Sequence, residues 1–89
     1  MPDTVMKLAV RHLLLDLKDA AAAKGNSNRE TAQNCQDRLA LALSTELSAD
    51  QRKALKQVFE INGRWVRCSG GTAERVRKAV ERAIPLFEH

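Results

Sequence analysis

The chain has 89 residues, 44% of them hydrophobic, 29% charged and 3% aromatic, and a formal net charge of +4. That is the size of one small domain; it is too short for an ordinary cofactor-binding α/β enzyme, and four Gly and two Pro are too few for a fibrous or disordered chain. The longest apolar stretch, 8–17, is interrupted by Arg11, His12 and Asp16, so no transmembrane helix is expected, and Asp3 ahead of the first lysine, with no small-residue cleavage site after that stretch, argues against a signal peptide.

In chain order, a first helix is predicted over about 4–24, with Asp3 as N-cap and Gly25-Asn26 as stop. Met6, Val10, Leu13, Leu14, Leu17, Ala20 and Ala21 recur at i, i+3, i+4, i+7 and form its apolar stripe. Lys7, Arg11 and Lys18 make a basic edge, and His12, Asp16 and Asp19 a polar one. Between the two edges, Leu8 and Leu15 form a second, smaller apolar strip. In so short a chain, that second strip is expected to meet another molecule.

A second helix, about 28–46, opens on the capping box Ser27/Glu30. Its stripe, Ala32, Cys35, Leu39, Ala42 and Leu43, is built mostly from small residues and admits a close neighbour. The short linker Gly25-Asn26-Ser27 makes the first two helices antiparallel neighbours.

A third helix, about 49–62, follows a second box, Ser48/Gln51, with Ala54, Leu55, Val58, Phe59 and Ile61 inward and Arg52, Lys53, Lys56, Gln57 and Glu60 outward. Asn62-Gly63 is a natural helix stop. The same dipeptide also signals a type I′ hairpin. Pairing across it would set Ile61 opposite Arg64 and Glu60 opposite Trp65, leaving neither face apolar, so the helix is preferred. Residues 64–71 are then expected to be extended, with Trp65 and Val66 tucked into the core. Thr72 caps a fourth helix, about 73–84, with the stripe Val76, Ala79, Val80 and Ala83; Pro85 stops it, and Leu86 and Phe87 fold back. The expected fold is one all-α domain over 1–89: a small bundle of about four helices with an extended loop around Asn62–Cys68.

Charge is unevenly spread. Residues 1–50 hold six basic and seven acidic side chains, whereas residues 51–89 hold nine basic (Arg52, Lys53, Lys56, Arg64, Arg67, Arg75, Arg77, Lys78, Arg82) and four acidic. That asymmetry points to an anionic partner on the C-terminal side, or to a solvated face kept soluble by cations. Cys35 and Cys68 form no CxxC pair and are read as free thiols of a cytoplasmic protein, Cys35 in the core and Cys68 beside the cation Arg67.

The chain offers little for chemistry. His12 and His89 have no ligand set around them, so no metal or other cofactor is expected. His12 and Asp16 stand at i, i+4, the spacing of an ordinary surface pair. Ser69-Gly70-Gly71-Thr72 before a helix lacks the lysine of a phosphate loop, and no nucleophile has a base and an orienting acid beside it. The 41–58 junction has the length of a helix-turn-helix, but Glu46 stands at the turn and Arg52 at the apolar slot.

The expectation is therefore a non-enzymatic regulatory or inhibitory protein that binds a protein partner. Arg over Lys, nine to six, suits a high-GC bacterium or its phage. Contacts are expected at Leu8, Leu15, Arg64, Trp65, Arg67, Arg75, Lys78 and Arg82, since Trp and Arg are enriched at binding hot spots, and Leu8/Leu15 would also serve a homodimer. The alternative is a basic nucleic-acid binder of transcriptional-regulator type using Arg75/Lys78/Arg82 and the segment 64–67.

Overall fold

The computed structural model describes residues 4–22, 27–67 and 72–88; the side chains of residues 4, 5, 27 and 28 fall outside that description. So do the Asp3 cap, the Gly25-Asn26 stop, the Ser27 side chain of the first capping box, Cys68, the Ser69-Gly70-Gly71 turn and His89. The described residues form four helices, α1 (Thr4–Ala22), α2 (Ser27–Leu43), α3 (Ala49–Val66) and α4 (Ala73–Ala83), and a closing 3₁₀ turn, Ile84–Phe87.

Each helix packs on its neighbours in the chain and α4 closes on α1. The backbones of the diagonal pairs α1/α3 and α2/α4 keep apart among the described residues, no two Cα atoms coming within 8 Å, so the four helices ring a common core. Successive helices are antiparallel. Met6 and Val10 of α1 share a groove with Leu41 and Thr45 at the end of α2. Arg52 near the start of α3 donates to the Leu43 carbonyl, while Asn62, about 15 Å further along the helix, reaches Ala32. Gln51 Nε2 donates to the Leu86 carbonyl at 3.0 Å, which sets the start of α3 beside the end of α4.

The apolar stripes predicted from 3.6-residue periodicity supply the core. Leu14, Leu17, Leu39, Leu55, Val58, Val76 and Val80 are all sealed from solvent. The α3 box forms as expected: Ser48 Oγ accepts from Gln51 N at 3.1 Å and Gln51 Oε1 accepts from Ser48 N at 3.1 Å. Thr72 Oγ1 caps α4 by accepting from Arg75 N at 3.2 Å.

The expected extended segment after Asn62-Gly63 is corrected: α3 continues through both residues to Val66. Asn62 is held by α2, its Nδ2 donating to the Ala32 carbonyl at 3.0 Å and to Gln36 Oε1 at 2.8 Å. Gln36 Nε2 donates in turn to the Phe59 carbonyl at 2.9 Å. It lies 2.9 Å from where a Cβ on Gly63 would be. Glycine here makes room for a side chain of the neighbouring helix, and the tertiary bonds outweigh its local tendency to stop a helix. Trp65 and Val66 do pack against the core, but from the last turn of a helix.

α2 ends at Leu43, earlier than the expected 46. Ser44 Oγ and Thr45 Oγ1 each donate to a carbonyl three residues back, Leu41 and Ala42, at 2.6 Å, and Arg52 covers the carbonyls of Leu43 and Thr45 at 2.7 and 3.0 Å. These bonds take up the carbonyls of Leu41, Ala42, Leu43 and Thr45 and close the helix end. At the other end of the chain Pro85 halts the α-helix but not the chain's winding. The 3₁₀ turn it opens drives Phe87 into the core, 2% exposed.

Candidate interaction surfaces

Two surfaces stand out from the packed core. The first is an apolar groove of about 220 Å³ between the start of α1 and the end of α2, lined by Met6, Ala9, Val10, Leu13, Arg38, Leu41, Ala42 and Thr45. Met6 belongs to the α1 stripe by spacing yet is 37% exposed, because it stands at the open end of that groove rather than under a neighbour. Leu41 is 69% exposed, the most exposed large apolar side chain described. It falls off the α2 stripe, and that misfit was its signal in the sequence. Leu8 is 46% exposed on the outer side of α1, whereas Leu15 is half-buried, so the strip they form is only partly free.

The second surface is basic. The structure sorts the nine C-terminal cations by role. Arg52 is turned to cap α2. Arg77 is half-buried, its Nε sealed from solvent. The other seven are exposed. Lys53, Lys56, Arg64 and Arg67 share one face of α3 at i, i+3, i+11 and i+14. Arg75, Lys78 and Arg82 share one face of α4 at i, i+3 and i+7, flanking the buried Val76, Ala79, Val80 and Ala83. Lys78 lies 3.7 Å from Glu74, both side chains more than half exposed, so the pair is weak. Trp65 is half-buried against the core.

Polar chemistry is sparse. Asp16 turns from His12 to Arg38 of α2, 3.7 Å away. Cys35 is 1% exposed; burial first, and the Asp16 charge after it, hold its thiol above the ordinary value of 9.0 against the opposing pull of Arg38. No group of three His, Cys, Asp or Glu side chains that could hold a metal is present among the described residues. None of the described helices is long and apolar enough to cross a membrane. The α2–α3 junction, bonded along three turns of both helices, is an antiparallel hairpin rather than a helix-turn-helix.

What fold and surfaces define together is a small up-down-up-down four-helix bundle with one apolar groove and one basic face. No known protein family, curated protein or solved structure matches the chain.

Proposed function

We propose that the chain is a small non-catalytic regulatory or inhibitory protein that acts by binding a protein partner, with the α1–α2 groove as its contact. The observation that carries this reading is the placement of Leu41 and Met6, two large apolar side chains left in solvent at the lip of an apolar groove. Burying one such side chain is worth about 1.5–3 kcal/mol, which a partner would recover. The groove, about 220 Å³, is smaller than the roughly 300–1,000 Å³ of small-molecule pockets. It is open and runs between two antiparallel helices, a shape that takes the apolar face of a third helix with anchors at i, i+3/i+4 and i+7. Arg38 at its edge would meet an acidic side chain flanking those anchors.

The test compares proteins cross-linked in the source cell to the intact chain and to Leu41→Asp, with circular dichroism confirming that this exposed substitution leaves the helices intact. The expected result is one partner retained by the intact chain and lost by Leu41→Asp. A partner held equally by both overturns the reading. A dimer seen by light scattering and split by Leu41→Asp also overturns it, because a second copy would then fill the groove.

A further inference from the structure

We infer that the outer faces of α3 and α4 form a docking surface for the phosphate backbone of duplex DNA, separate from the groove between α1 and α2. With Arg52 turned to the end of α2, seven exposed cations stand in two rows, Lys53/Lys56/Arg64 on α3 with Arg67 at its C-cap, and Arg75/Lys78/Arg82 on α4. The Gln51–Leu86 bond holds the helices side by side, so the rows run alongside each other in opposite directions. The acidic side chains exposed on these two outer faces are Asp50, Glu60 and Glu74, and the last is already engaged with Lys78; Glu81 turns away to Lys18 of α1, 3.9 Å distant. A strong excess of positive charge remains.

The lengths suit a duplex. From Lys53 to Arg67 the α3 row covers about 21 Å at 1.5 Å per residue, the axial rise of about six base pairs. Packed helix axes lie about 8–10 Å apart. Two cation rows on helices packed so closely can reach phosphates on both sides of a minor groove about 6 Å wide. Four of the seven are arginines, whose planar fork takes a phosphate with two hydrogen bonds.

Composition decides against the two competing partners. An acidic protein surface would need apolar anchors at the centre of the contact. The exposed large apolar side chains, Met6, Leu8, Leu41 and Leu86, lie on α1, α2 and the 3₁₀ turn, none on the α3–α4 face. A single strand would need aromatic rings open for stacking, but Trp65 and Phe59 are half-buried in the core packing and Phe87 is buried. Among the described residues each helix packs along two others and none stands clear to reach base edges, so the contacts are to backbone phosphate and carry no sequence preference.

The experiment is fluorescence anisotropy of a labelled 20-base-pair DNA duplex with the full chain between 50 and 200 mM salt. With about five phosphates neutralised, log Kd against log salt should have a slope of roughly 4.5, several-hundredfold weakening over that range. Arg75→Gln with Arg82→Gln should lower the slope by about 1.8, while Arg29→Gln on α2 leaves it unchanged. Absence of binding at 50 mM salt, equal loss from the Arg29 control, tighter binding of a single strand or an RNA duplex, or equal binding of oligo-glutamate each overturns the proposal. Leu41→Asp should bind this duplex as the intact chain does, so failure at the groove and failure at the basic face are told apart.

Discussion

Asn62 sits in the core with its Nδ2 doubly bonded and its Oδ1 without a partner. Turning the amide over would point Oδ1 at the Ala32 carbonyl, so the orientation is determined by its neighbours. An unpaired buried acceptor is unfavourable by about 1–3 kcal/mol; what Asn62 provides is register, since only one sliding position of α3 on α2 satisfies both acceptors. Gly63 belongs to the same device. An Ala in a helix interior normally stabilises by about 1 kcal/mol over Gly. Here its Cβ would displace Gln36 Nε2 and break the bond to the Phe59 carbonyl. Gly63→Ala is therefore expected to forgo that gain and leave the urea midpoint nearly unchanged, and to stabilise by about 1 kcal/mol in a Gln36→Ala background.

Cys35 gives a pH signature at the same scale. Its folded thiol ionises later than the unfolded one, so above the ordinary value of 9.0 the unfolded state loses its proton first. This thiol's contribution to stability is complete below that pH and falls as pH rises beyond it. Urea midpoints of the chain against Cys35→Ala should diverge less above pH 9 than at pH 7. In a Cys68→Ser background, native Cys35 should resist a thiol reagent that labels it freely in urea.

Elements end where partners meet their last backbone groups. Arg52 spends its guanidinium on two carbonyls at the end of α2, where a cation also favours the helix dipole. Arg52→Ala should lower stability by about 1 kcal/mol and leave the DNA salt slope unchanged, which a solvent-facing cation of the basic face would not do. The 3₁₀ turn is held by one anchor, Phe87, buried against α1 and α4. Phe87→Ala should destabilise by about 3 kcal/mol, whereas Leu86→Ala, at a residue 38% exposed, should change stability far less; urea midpoints decide.

For the whole molecule, the radius of gyration is 12.1 Å, the value of about 12 Å expected of a compact chain this long. The number of helices, their inward faces, the α3 and α4 caps and the buried Phe87 were all legible in the residues, because periodicity and capping are local and act within one or two turns. The excess of cations after residue 50 was legible too. Four things were not: the run of α3 through Asn62-Gly63, the sorting of Arg52 and Arg77 away from the basic face, the half-burial of Leu15, and the groove between Met6 and Leu41. Each depends on a residue from another helix, Gln36 beside Gly63, the α2 carbonyls before Arg52, Leu41 across from Met6. The sequence by itself determined which stripe of each helix turns toward the core. Only the packing of the ring decided which polar groups answer one another across helices and which apolar side chains are left outside, because those choices are made between residues distant in the chain, where no local spacing carries the signal.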